Sequence, residues 1–331
     1  MLDSYSDIWT MSSEIIVQEA KKRWYSVEII DRERNFFSIT HKDTCRYFKS
    51  NDAWLDTSLG IKIADSKELT NIIAQRHNLP IPSTYYLNKW EDIVEVLSWK
   101  KLLYPLVTKP VNGAHGSWVA LWINNYDELL DWIKYSFWYT GVTRIMIQQQ
   151  ILWDDYRIII INGKFIACSK RTPPYIVWNW KNTISELIDT FNDSIDTKNT
   201  YWLKLYNKII VDQESMHTIV SQGYKLWNIL DKGEKIFVRK NANLSTGWFA
   251  IDATELVHTS IIDDCVRFSN ILWLWVAGID VMTSDICKPL SETWGAIIEV
   301  NNTPWFKMHH YPAIWKPRNV AWALLDSIFT K

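Results

Sequence analysis

The sequence predicts an α+β protein, and three patterns predict it. A β-like run from Tyr104 to Lys109 enters Pro110 and a glycine-containing polar loop before the chain turns extended again. Two apolar runs, Asp155 to Ile161 and Lys164 to Cys168, flank Asn162-Gly163, a dipeptide suited to a tight hairpin. Between such runs lie stretches with helical spacing, among them Lys67 to His77 and Asn124 to Tyr135. With 331 residues the chain exceeds one small core, and two or three packed units are expected.

From the N-terminal end, Ser13 to Arg23 reads as a short helix, followed by strands at Val27 to Ile30 and Phe36 to Thr40. The polar His41-Lys42-Asp43 turns the chain into a further strand near Arg46 to Phe48. Asp65 and Ser66 cap the helix that starts at Lys67, and this helix must end before Pro80 and Pro82. Arg144 to Gln150 is strand-like. Helices are expected at Thr183 to Asn192, His217 to Gln222 and Asp263 to Leu274, and strands at Ile236 to Arg239, Ile279 to Met282 and Ala296 to Val300.

The composition excludes several classes of function. Lys and Arg number 36 against 37 Asp and Glu, so net charge gives no reason to expect a nucleic-acid partner. Cys45, Cys168, Cys265 and Cys287 form no CxxC pair, which argues against a zinc site or a disulfide framework and for a reducing, cytoplasmic setting. No apolar run reaches the roughly 18 residues of a membrane span. The N-terminal residues, with Asp3 and Asp7, do not read as a secretion signal.

The strongest chemical signal is Gly278-Ile279-Asp280-Val281 followed by Gly295-Ala296-Ile297-Ile298-Glu299-Val300-Asn301. Two strands paired as a hairpin would set Asp280 beside Glu299, and a period of two puts Glu299 and Asn301 on one face. Three oxygen-bearing side chains then suit Mg²⁺, which keeps waters and phosphate oxygens in its other positions. Taken alone, the same three residues also fit a solvated sheet edge.

A set of motifs in fixed order gives this cluster a context. They are Asp65-Ser66-Lys67-Glu68-Leu69-Thr70, Val107-Thr108-Lys109-Pro110, Asp155-Tyr156-Arg157, Lys170-Arg171-Thr172-Pro173-Pro174, Arg239 through Gly247, and Glu299-Val300-Asn301-Asn302. In this order they resemble the ATP-grasp superfamily over Lys67 to His310, most closely the amide-forming half of the cyanophycin synthetases. Glutathione synthetase and D-alanine:D-alanine ligase are related ligases.

The resemblance implies a short pre-grasp α/β segment over 1–64, a small subdomain with a lid over 65–150, and a large subdomain with the metal site over 151–331. It also implies roles for individual residues. Lys67 and Lys109 match phosphate-contacting lysines. Asn112 to Val119, with Gly113, His115, Gly116 and Ser117, matches the lid over the phosphates. Gln148 to Ile151 matches the strand and hinge at the adenine, with Gln148 where the family usually has Glu, and Asp155 matches the acid that takes the ribose hydroxyls. Arg157, Arg171 and Arg239 would surround the transferring phosphate as catalytic cations. His309 and His310 would form pocket wall.

The implied cofactors are ATP with Mg²⁺, or Mn²⁺ in its place. The implied reaction has a carboxylate attack the γ-phosphorus and an amine displace phosphate from the acyl phosphate. The partners are small molecules, amino acids or a short peptide, with no nucleic acid or membrane, and a homodimer is the family expectation. A non-catalytic ATP-binding protein is the alternative if tryptophan at the family's glycine positions is genuine.

Tryptophan is abnormally frequent. Glycine occurs 10 times where average usage of about 7% gives roughly 23, while tryptophan occurs 21 times. Trp118, Trp153, Trp248, Trp294 and Trp305 stand where the resembling proteins carry glycine, and Trp178-Asn179-Trp180 sits where Gly-Asn-Gly suits a tight turn. Most of the 21 fit this pattern, whereas Trp54 and Trp90 give no such reason. One hypothesis joins the excess to the deficit, namely that UGA codons meaning glycine are rendered as tryptophan. Genuine tryptophans serving as core aromatics are the other reading.

Overall fold

The structure is a computed structural model, and it describes residues 9–98, 100–111, 120–139, 141–151, 153–198, 208–239 and 249–330. In chain order the elements are α1 (Met11–Lys22), β1 (Ser26–Asp31), β2 (Phe36–His41), β3 (Thr44–Lys49), α2 (Ser58–Ala64), α3 (Lys67–Arg76), β4 (Thr84–Asn88), α4 (Ile93–Ser98), β5 (Leu106–Pro110), β6 (Ala120–Ile123), α5 (Tyr126–Tyr139), β7 (Arg144–Gln149) and β8 (Asp154–Ile161). There follow β9 (Lys164–Thr172), β10 (Tyr175–Val177), α6 (Ile184–Lys198), α7 (Gln213–Ser221), β11 (Lys235–Phe237), β12 (Phe249–Asp252), α8 (Thr259–Ile271), β13 (Val276–Thr283), α9 (Leu290–Thr293), β14 (Ala296–Asn301), α10 (Lys307–His310) and α11 (Val320–Phe329). The mixture is the expected α+β. No helix among the described residues is long and apolar enough to cross a membrane.

The chain forms two compact units, each made of separated segments: 1–50, 167–254 and 305–331 in the first, and 51–166 and 255–304 in the second. In the first unit β1, β2 and β3 form an antiparallel sheet in chain order. The polar His41-Lys42-Asp43 turn is confirmed, with Lys42 at φ 52°. Phe37 lies directly opposite Phe48, both fully buried and stacked at 5.1 Å. Helix α1 buries Ile15, Ile16, Val17 and Ala20, and packs on α10 and α11. A second apolar cluster gathers Ile176, Ile184, Ile188, Ile219, Ile236 and Val238.

Capping sets helix boundaries that periodicity alone misplaces. Helix α7 starts at Gln213 rather than 217, because Asp212 and Ser215 form a reciprocal capping box. Helix α8 starts at Thr259 rather than 263, since the His258 side chain accepts from Ser260 N.

His310 closes another such end in the first unit. Its Nε2 accepts the Ala321 backbone N–H at 3.1 Å in the first turn of α11, and burial pushes its pKa down to about 4. A histidine that is neutral when folded but charges near 6.5 when unfolded makes stability rise with pH between those values. Acidification from pH 6.5 to 4 should therefore cost up to about 3 kcal/mol at this residue. Urea titrations of wild type and His310→Gln check this; equal acid sensitivity of the two would count against it.

In the second unit β4, β7, β5 and β6 form an antiparallel sheet in that order. One face meets Leu129, Ile133 and Phe137 of α5, spaced by four as one helical stripe, over Leu87, Leu106, Ile145 and Ile147. Strand β13 lies between β8 and β14. Behind it α8 buries Ile261, Cys265, Phe268 and Leu272 along a single face. The hairpin signal holds: Asn162 and Gly163, at φ 48° and 68°, turn β8 into β9.

Candidate active site

The second unit carries a polar sheet face whose register brings the predicted acids together. Asp280 on β13 lies directly opposite Glu299 on β14, and Gly278 opposite Asn301. On its other side Asp280 lies opposite Arg157 of β8, and Met282 opposite Asp155. Directly paired residues share a face, and so do residues two apart. Asp155, Arg157, Asp280, Glu299 and Asn301 therefore lie on one side. Ile158, Ile160, Ile279 and Val300 occupy the other and are buried. A bulge follows Asp280, where Val281 pairs with Ile297 and skips Ile298.

Asp280 and Glu299 each arrive with a cation. Asp280 accepts from Arg157 through both oxygens, from Nε and, at 3.1 Å, from Nη2, and both side chains are buried. Glu299 lies 3.7 Å from Lys67 Nζ, and Lys67 is the first residue of α3, capped by Ser66. Asn301 donates to the Gly278 carbonyl at 3.4 Å, a bond that does not use its amide oxygen. Gly278 is required here, because a Cβ would collide with Pro304 Cβ and meet Arg157 Nη1 at 3.1 Å. The end of β14 is held in turn by Asn302, which donates to Asp65 at 3.3 Å, and by Asn51, which donates to the Pro304 carbonyl at 2.6 Å.

Lys109 and Gln148 occupy the face of the β5–β7 pair opposite the apolar cluster. Lys109 Nζ donates to Gln148 Oε1 at 3.0 Å, and Gln148 Nε2 donates to Thr84 Oγ1 at 2.9 Å. Burial pushes the Lys109 pKa down to about 8. The Glu299 carboxylate opposes that shift, and the Lys67 ammonium adds to it. Lys67, Lys109 and Glu299 thus act on one another. The amide at 148 matters here: a carboxylate in its place would hold Lys109 charged at higher pH.

A bound phosphate favours the ammonium form, so nucleotide binding is expected to take up a proton between about pH 8 and 9 and to weaken as pH rises through 8. Gln148→Glu should abolish that uptake by raising the lysine. Calorimetry in two buffers of different ionisation enthalpy measures the proton directly, and equal apparent heats for wild type would sink the assignment.

The remaining predicted residues are placed as follows. Ile151 follows β7 and is half-buried. Arg171 lies on β9 in the first unit, directly opposite Ala250 of β12. Arg239, also in the first unit, is buried and donates to Glu214 at 2.9 Å and to Asp212. These acids stand at the N-terminal end of α7, so this arginine is already clamped. His309 Nδ1 lies 2.9 Å from Ser169 Oγ. Gly113, His115, Gly116 and Ser117, with the rest of Asn112 to Val119, lie outside the described residues, as do Lys240 to Trp248. The Thr84–Gln148–Lys109 chain was not foreseen, since nothing in the spacing of three separate strands signals it.

Among the described residues no three His, Cys, Asp or Glu side chains are grouped to hold a metal ion. The site offers two carboxylates and an amide, hard oxygen donors suited to Mg²⁺. Lys67, Lys109 and Arg157 balance Asp155, Asp280 and Glu299, so a divalent cation among them would leave positive charge for an accompanying anion to offset. The donor set fits an Mg²⁺ ion that arrives on a polyphosphate.

No family model matches the chain. The cyanophycin synthetase of Synechocystis sp. is 35% identical over 271 residues, covering 82% of this chain and 31% of that protein. Its counterpart from Trichormus variabilis is 31% identical over 338 residues, covering 99% and 36%. The chain thus spans about a third of the length of these curated relatives. The crystal structure of a bifunctional glutathione synthetase from Pasteurella multocida matches 98% of this chain and 44% of its own, with a TM-score of 0.79 at 20% identity. On sequence and fold, the chain belongs to the ATP-grasp superfamily.

Proposed function

We propose that this protein joins a carboxylate to an amine, driven by ATP, through an acyl phosphate. The observation that carries the proposal is the meeting of Lys67, Lys109, Glu299 and the Arg157–Asp280 pair within one unit. In this reading Lys67 and Lys109 bind the nucleotide phosphates as compact charges. Asp155 takes the ribose, and Gln148 to Ile151 border the adenine. Gly113, His115, Gly116 and Ser117 cover the phosphates. Asp280, Glu299 and Asn301 hold Mg²⁺, which supplies charge neutralisation on the phosphoryl oxygens.

We assign Arg157, Arg171 and Arg239 to the charge on the transferred group. A substrate carboxylate oxygen forms a bond to the γ-phosphorus as the bond to ADP breaks. The amine then forms the C–N bond, phosphate leaves, and the amine proton goes to solvent. Such chemistry rests on positioning and exclusion of water, and no nucleophilic side chain is needed.

The substrates are small acids and amines of the amino-acid or short-peptide class, and the protein works in a reducing cytoplasm, which its four unbridged cysteines favour. Purified protein offered pools of amino acids and small acids with Mg-ATP should release ADP and phosphate only when an acid and an amine are both present. Hydroxylamine should trap the acyl phosphate when the amine is omitted. ATP binding without ADP release from any pair would overturn the proposal.

A further inference from the structure

Seven tryptophans of the described chain adopt the left-handed backbone: Trp24, Trp54, Trp122, Trp180, Trp273, Trp294 and Trp315, with φ between 53° and 77°. Among the described residues four glycines do so. The expectation that Trp54 stands apart is corrected, since its φ is 57°. Among the described residues seven tryptophans take this conformation and Trp90, Trp153, Trp178 and Trp305 do not, while Trp118 and Trp248 lie outside the described residues. The left-handed region crowds the Cβ of an L-residue against its own backbone, and single asparagines or glycines normally occupy it. Asn35, Asn78 and Asn162 do so here.

Two of the seven have exact internal controls. At the end of α1, Trp24 N donates to Lys21 O and Tyr25 N to Ala20 O. At the end of α8, Trp273 N donates to Asn270 O and Leu274 N to Ser269 O. This is the double hydrogen-bond pattern that closes a helix with a left-handed residue, usually glycine. The same pattern closes α3 with Asn78 and α7 with Gly223. Four helix ends share one geometry, and tryptophan fills two of them.

Nor does packing compensate for the strain. The seven side chains are all exposed, from 54% at Trp122 to 94% at Trp24. Among the described residues no tryptophan belongs to the buried core. An indole normally repays its size by burying a large area. At these positions the backbone favours glycine, and the indoles lie largely in solvent.

We propose that these seven positions are glycine in the functional protein, encoded by UGA triplets that its host decodes as glycine. UGA lies one base from the glycine codon GGA and one base from the tryptophan codon UGG, so a single decoding change produces both the surplus of one residue and the shortage of the other. This inference rests on backbone geometry and composition and is independent of the proposed reaction.

The test reads the gene and the protein. UGA is expected at all seven codons, and peptides of the protein isolated from its own cells should carry glycine there. UGG codons, or indole-bearing peptides at these positions, would overturn the proposal. A second measurement compares the chain as written with one carrying glycine at all seven. Each replacement should raise the folded-to-unfolded ratio about fivefold once the greater chain entropy of glycine is set against the relieved strain. In the reverse direction, Gly223→Trp should lower it by a similar factor. A glycine form that unfolds at the same urea concentration as the tryptophan form would also overturn the proposal, whatever either form does with ATP.

Discussion

Replacing Lys109 with methionine is expected to weaken ATP binding by one to two orders of magnitude while leaving the fold intact. The side chain keeps its length and loses its charge. A hydrogen bond from a charged donor to a phosphate contributes about 1.5–3 kcal/mol, and Lys109 is half-buried in the second unit, within electrostatic reach of Lys67 and Glu299. Two effects on stability then oppose each other. Gln148 Oε1 loses the donor it has at 3.0 Å, but the fold no longer has to bury an ammonium whose pKa burial has lowered to about 8. The net change should stay within about 1 kcal/mol. Fluorescence titration with an ATP analogue, set beside urea unfolding, separates the effects. An unchanged affinity would remove Lys109 from the nucleotide site, whereas a large drop in stability would show that its main partner is the protein.

Asp280→Ala should have the opposite signature. It strips Arg157 of the carboxylate that it contacts through two nitrogens, in a place where both side chains are buried. Removing one partner of a buried pair typically costs 3–5 kcal/mol, about as much as a small domain has to lose. The double variant Arg157→Met with Asp280→Leu should recover most of that stability, because neither charge is then buried alone. It should not recover ADP release. If the single variant unfolds at the wild-type urea concentration, the pair is not the structural centre of the sheet face. If the double variant is active, the two residues serve the fold and not the chemistry.

The acid pair was legible because it depends on local rules. Strand periodicity and the pairing of two neighbouring strands suggest Asp280 beside Glu299, and the structure has that register across a connection that holds α9. The bulge beyond Asp280 was not legible, since nothing in Val281 or Ile298 distinguishes a skipped residue from a paired one. The partner of each charge was also hidden. Lys109 and Gln148 are 39 residues apart and meet only because β5 pairs with β7. Arg157 and Asp280 are 123 apart and meet because β8 pairs with β13. Helix ends set by side-chain caps, as at Asp212 and His258, were displaced by about one turn for a similar reason: the cap lies outside the apolar repeat that announces the helix.

Because Asp280 comes with Arg157 and Glu299 with Lys67, a ligand that takes one member of either pair strands the other. A bare divalent cation would claim the acids and leave two cations without counter-charge, while a bare polyphosphate would do the reverse. A metal and a polyanion arriving together satisfy both sets at once. On the proposed reading the sheet face is expected to act as a coincidence detector: Mg²⁺ alone and ATP alone should each bind weakly, and each should strongly raise the apparent affinity for the other.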